Sequence, residues 1–119
     1  TDIIGINVDN GSQVLTTGVK GHRVIPYDCE VTNWFVSSTD TGSIGWDVNW
    51  VVSSAWPLTS SVLGIGSGLP SMSTEYKNED ASVDWEKKTF SEGDILEFEI
   101  DSVTTLTNCT LSITIKRTS

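Results

Sequence analysis

The sequence predicts an all-β domain, a two-sheet antiparallel sandwich of jelly-roll-like type, and three stretches carry that prediction. Residues 46–52, 94–100 and 110–116 alternate apolar and polar side chains almost without exception. In the last of them Leu111, Ile113 and Ile115 point one way, and Ser112, Thr114 and Lys116 the other. A period of two marks a strand with one buried and one wet face. No window shows a comparable helical period.

In chain order, residues 1–8 alternate and run into the turn Asp9-Asn10-Gly11-Ser12. Residues 13–20 make a strand interrupted at Gly18, and 23–26 a short one that Pro26 ends or places at an edge. The β-branched and aromatic run 30–37 surrounds Trp34. The cluster Ser38-Thr39-Asp40-Thr41-Gly42 has the composition of a turn between antiparallel strands. Residues 43–53 follow, with Trp46, Val48, Trp50 and Val52 on the core face. An irregular stretch runs from Trp56-Pro57 to Asp80, with a short strand expected at 61–65; long connections in small domains are often functional loops. Strands at 83–90, 94–100 and 106–116 complete about eight, spaced as in all-β sandwiches. An immunoglobulin-like sandwich is the second choice.

At 119 residues this is a single domain, 1–119, long enough to bury a core without a staple. Because the chain begins at Thr1 and not at Met, a piece of a longer protein or a processed product is expected. The net charge of −9 would repel a phosphate backbone, which argues against nucleic acid and anionic membranes as partners. The longest mostly apolar run, 46–52, is far shorter than the roughly 20 residues of a spanning helix, so membrane insertion is not expected. Cys29 and Cys109 could pair if their strands are neighbours, or serve as two small buried hydrophobes.

Little in the sequence speaks for catalysis, so no enzyme and no cofactor are expected. His22 is the only histidine, and it sits at a strand start between Gly21 and Arg23 with no nucleophile marked beside it. Glu97 and Glu99 share a strand face and read as solvated rather than as a glycosidase pair. Gly64-Ile65-Gly66-Ser67-Gly68 lacks the following helix that a phosphate cradle needs. Asn78, Glu79, Asp80 and Asp84 offer hard oxygens, but not at the spacing of the helical calcium loop, so no metal site is assigned. Asn10-Gly11-Ser12 and Asn108-Cys109-Thr110 fit the glycosylation sequon, a pattern common by chance.

Among the five tryptophans, Trp34, Trp46, Trp50 and Trp85 are assigned to the core. Trp56 stands at the mouth of the long loop. An aromatic face stacks on the apolar C–H groups of a sugar while polar neighbours fix its hydroxyls. Trp56, with Asp80 and Asp84, is therefore the candidate ligand-binding set, and core or oligomer packing is the plainer reading of the same indole.

The laid-out chain resembles a C-terminal β-module of minor virion proteins in tailed bacteriophages and prophages, of the tail-fibre, collar or receptor-binding type. The resemblance covers almost the whole chain. Its features are Gly11-Ser12 before residues 14–21, Val24-Ile25-Pro26-Tyr27, Val31-Thr32-Asn33-Trp34, Gly42-Ser43-Ile44, Asp47, Pro57, Leu69-Pro70, residues 73–80, Trp85 and the run 93–102. It departs where Val51 follows Trp50 in place of a basic residue, and where Trp56-Pro57 stands in place of a double proline. The resemblance implies location on the phage particle, a jelly-roll-like fold and a homotrimer. On that footing the expected task is attachment to a host-surface glycan or decoration of the particle. The alternatives are a structural knob or spacer without ligand, and a carbohydrate-binding module attached to an enzyme.

Overall fold

The computed structural model describes residues 1–57 and 68–118. Among the described residues seven strands run in chain order: β1 (Asp2–Asp9), β2 (Gly18–Val24), β3 (Cys29–Val51), β4 (Ser71–Asp80), β5 (Thr89–Phe90), β6 (Ile95–Thr104) and β7 (Asn108–Arg117). One 3-10 turn, Ser53–Ala55, follows β3. The described residues contain no α-helix, and no helix among them is long and apolar enough to cross a membrane. The all-β expectation holds. Hydrogen bonding joins the seven strands into one antiparallel sheet that curls into a half-barrel, in the order β1-β7-β3-β6-β2, with β4 and β5 also on β3.

The register explains the curl. β6 and β7 follow one another along a single flank of β3: Ile95 lies opposite Val51 and Thr104 opposite Ser43, then Thr110 opposite Ser37 and Arg117 opposite Cys29. β1 and β2 follow one another in the same way along the far flank of β7 and β6. The sheet is thus a ribbon of long strands bent across its middle. The inner sides of the two halves close on one core, where Leu96, Phe98 and Ile100 of β6 join Leu111, Ile113 and Ile115 of β7. Each such fully buried side chain contributes about 1.5–3 kcal/mol. The halves touch at Gly21 of β2, where a Cβ would stand 2.8 Å from Ile6 Cδ1 of β1.

The bend lies at the cluster expected to be a turn. Residues 38–42 do not reverse the chain; β3 passes through them extended, and Cys29–Val51 is one strand where two, at 30–37 and 43–53, were expected. Polar groups of the β6–β7 connection, with Asn108 at the start of β7, pin the bend. Asp40 Oδ2 accepts from the Thr107 amide (2.9 Å) and hydroxyl (2.5 Å), and these two bonds hold its carboxyl below the usual range. Asn108 accepts from the Thr39 amide and donates to Thr39 Oγ1 at 2.7 Å. Asn108, the sequon residue, is therefore committed to the fold. Thr105 sits at φ 61°, a region a β-branched residue enters at a cost, offset by its hydroxyl donating to Thr41 O at 2.8 Å. Gly42 leaves room for that hydroxyl, which a Cβ would strike.

Other sequence expectations shift. The turn expected at 9–12 runs on through 13–17, so the strand expected over 13–20 starts only at Gly18; Asp9 Oδ1 and the Asn10 side chain close local bonds to the Gly11 amide and Val14 carbonyl. In the run 83–90 only Thr89–Phe90 pairs. The strand expected at 61–65, and 64–67 of the glycine run, lie outside the described residues. Cys29 and Cys109 are both free and buried. Cys29 faces Arg117, eight positions along β7 from Cys109, which at about 3.3 Å per residue is far beyond disulfide reach.

Candidate functional site

The outer face of the β2–β6–β3 half is the most unusual surface of the molecule. On β6 the inner side takes Leu96, Phe98 and Ile100, so Ile95, Glu97, Glu99 and Asp101 point outward. The register sets Glu99 opposite Asp47 and Glu97 opposite Asn49 on β3, and His22 of β2 opposite Glu97. One row across three strands is therefore His22, Glu97 and Asn49, and the next begins Glu99, Asp47. Asn49 Nδ2 approaches Glu97 Oε1 at 3.4 Å.

That outward face is partly covered, although strand alternation alone would leave it wet. Asn49 is 1% exposed, Val51 2% and Ile95 6%. The cover is the chain itself. After β3 ends at Val51, the 3-10 turn carries the chain over β6, and Trp56 stacks on His22 of β2, ring centroids 4.5 Å apart and tilted by 42°. The peptide bond from Trp56 to Pro57 is cis. Trp56 itself is half-buried. The same crossing corrects the expectation for Val52. It was placed on the core face with Trp46 and Val48, but it stands past the end of the strand and is 42% exposed, while Val51 is buried.

Electrostatics sharpen this face. Burial first, then the charges of Asp101 and Glu99, push the Asp47 carboxyl above its ordinary value. Like charges directly across a strand pair repel. The face thus joins a half-open indole, an imidazole and several carboxylates. That combination supplies one ring face for stacking and several acceptors for hydroxyl or ammonium donors.

Trp46, Trp34 and Trp85 are core, as expected: Trp34 and Trp85 both donate Nε1–H to the Gly68 carbonyl, at 3.1 and 2.9 Å. Trp46 Nε1 is buried with no hydrogen-bond partner among the described residues, and its indole lies beside Cys109. Burial pushes the Cys109 thiol up to about 11, with the indole opposing the rise. Trp50 is half-buried. Its Nε1 donates to Asp94 Oδ2 at 2.9 Å, which also accepts from the Ser91 amide at 3.0 Å, and Lys87 Nζ lies 4.4 Å from the Trp50 ring centroid.

The structure does not bring the sequence-derived set together. Asp80 closes β4 level with Trp34, in the other half of the bend from the Asn49 row, and its Oδ1 caps the Ser82 amide at 2.8 Å. Asp84 is exposed in the connection to β5. No described contact joins either to Trp56. Asn78 is held by the Ser71 carbonyl at 2.8 Å, and no group of three or more His, Cys, Asp or Glu among the described residues is placed to hold a metal ion. The partners that sequence reasoning missed are His22, Asn49 and Asp47. The alternation put Asp47 and Asn49 on one face, but only the register ties them to His22. Comparison of the chain with protein-family models, with curated proteins and with solved structures finds no match.

Proposed function

We propose that this chain is a non-enzymatic module of a tailed-phage particle, a homotrimeric knob with jelly-roll-like layering that attaches to a host-surface glycan or decorates the particle. The phage assignment rests on the sequence resemblance described above. The observation that supports a ligand is the placement of Trp56, which is partly buried and stacks on His22, whose cross-strand partner on the same outward face is Glu97. A half-buried ring keeps its position without ligand and still offers surface, which lowers the ordering lost when a sugar stacks on it. Acceptors beside the ring suit hydroxyl donors of the same sugar. Asp80 and Asp84 lie apart from this ring and would meet a ligand only as a separate contact.

The test is binding of the purified chain to host cells and to a glycan array. Trp56→Ala should lower retained binding at least ten-fold at unchanged circular dichroism, and Asp84→Asn should leave it near wild type. Binding indifferent to Trp56→Ala removes the ring from the ligand site. Reproducible turnover of a glycan would replace the whole reading with an enzymatic one.

A further inference from the structure

The sheet has two open sides; both carry charges and an irregularity, on β4 at Thr74 and on β2 between Val19 and Gly21, and they differ in their exposed apolar residues. β4 carries Glu75, Lys77, Glu79 and Asp80 and is kinked at Thr74, whose φ is 51°. Charges and irregularity of this kind keep a free edge from pairing with other strands. The opposite side of the sheet is formed by β1 and β2, which end the strand order and pair on one flank only. Gly5 O, on the free flank of β1, is met by Arg23 Nη1 at 3.0 Å. Since Gly5 faces outward, the antiparallel alternation turns the backbone groups of Ile3 and Asn7 outward as well. Exposed apolar side chains flank this side: Ile3 is 65% exposed, Val19 56% and Val24 55%.

Charge singles out what can dock there. Residues 1–25 hold Asp2 and Asp9 against Lys20 and Arg23, a balance of zero. The whole formal charge of −9 falls on the remainder, fourteen acids against five bases. Two copies of an acidic chain repel through most approaches, and a side whose own strands balance in charge, with Glu99 of β6 behind Val19, lets them meet at a smaller penalty. A cationic partner would be drawn elsewhere.

We infer that the β1–β2 side is the surface through which copies of this chain associate, with the exposed Ile3, Val19 and Val24 side chains at the contact. The inference deepens the proposed knob by naming its subunit contact, and rests on that reading only for the expectation that copies assemble.

Light scattering of the purified chain across a concentration series tests it. The wild type should reach at least twice the 12.9 kDa chain mass. Added salt should favour assembly, because screening relieves repulsion between the acidic faces. Ile3→Lys with Val19→Lys should return the mass to that of one chain at unchanged circular dichroism, and Val24→Lys alone, a milder change at the same edge, should raise the dissociation constant at least ten-fold. Tyr76→Lys, on the β4 edge, should leave assembly intact. A single-chain mass at every concentration overturns both this surface and the trimer. Assembly that survives the β1–β2 changes but fails with Tyr76→Lys, or that salt dissolves, overturns this surface and leaves the trimer standing. Loss of glycan binding by Trp56→Ala is read separately and touches neither.

Discussion

The two halves of β3 obey different rules. From Cys29 to Ser37 the strand buries Cys29, Val31, Trp34 and Val36 on the inner side and leaves the outer side to half-exposed residues such as Glu30 and Phe35. From Ser43 to Val51 it buries Trp46 and Val48 inside but also Asn49 and Val51 outside. The first half is a strand between water and core. The second is buried on both sides, and it is the half beyond whose end the chain crosses to set Trp56 on His22 of β2. A polar residue buried on the wrong side of a strand is thus a sign of chain returning overhead, and here the returning segment carries the candidate ring.

The largest test of the contrast exchanges tryptophans for alanine in each setting. Trp34→Ala, which empties a core site and leaves the Gly68 carbonyl to Trp85 alone, should cost about 3–5 kcal/mol in urea or thermal unfolding. Trp56→Ala should cost under about 1.5 kcal/mol, since its indole is only partly buried and stacks on an exposed histidine. Equal losses would make Trp56 a core plug and erase the distinction between the halves.

A middle effect belongs to the end of the second half. Asp94 is 7% exposed and receives both the Trp50 indole and the Ser91 amide. Asp94→Ala leaves those donors unanswered and should destabilise by about 1–3 kcal/mol. A change near zero in chemical denaturation would show that water replaces the carboxylate and that this end of the strand is open.

The smallest effect is electrostatic. The folded Asp47 carboxyl holds its proton to higher pH than the unfolded chain does, so its share of stability falls as pH rises from about 3.9, the ordinary aspartate value, to the raised folded value, and stays low above it. Asp47→Asn should remove that decline and stabilise the neutral-pH protein by roughly a few tenths of a kcal/mol. The readout is the difference between wild-type and variant urea midpoints across the acid range. A variant less stable at neutral pH would mean that the carboxylate is answered by a cation.

Much of the fold is legible in the chain because burial by alternation is local. Leu111, Ile113 and Ile115 on β7, and Leu96, Phe98 and Ile100 on β6, lie where a period of two puts them. The bend is not legible, because what keeps 38–42 extended is a carboxylate bonded to Thr107, sixty-seven residues away. Without that partner, Ser38-Thr39-Asp40-Thr41-Gly42 has the composition of a reversal. The candidate site was half legible: a lone indole before a proline could be picked out, but its neighbours come from β2 and β6, and only hydrogen-bond register brings His22 level with Glu97 and Asn49. The sequence sets Asp80 near Trp56 because 56–80 reads as one irregular stretch; β4 instead carries Asp80 away to the Trp34 row.

The uninterrupted β3 has a consequence for how this body comes apart. Neither wing of the sheet owns a complete set of neighbours, since one 23-residue backbone supplies the central partner of both. Releasing either wing strips the other of its middle ladder, so amides at Val36 and Val48 should exchange with solvent in a single concerted opening, at the same free energy, rather than wing by wing.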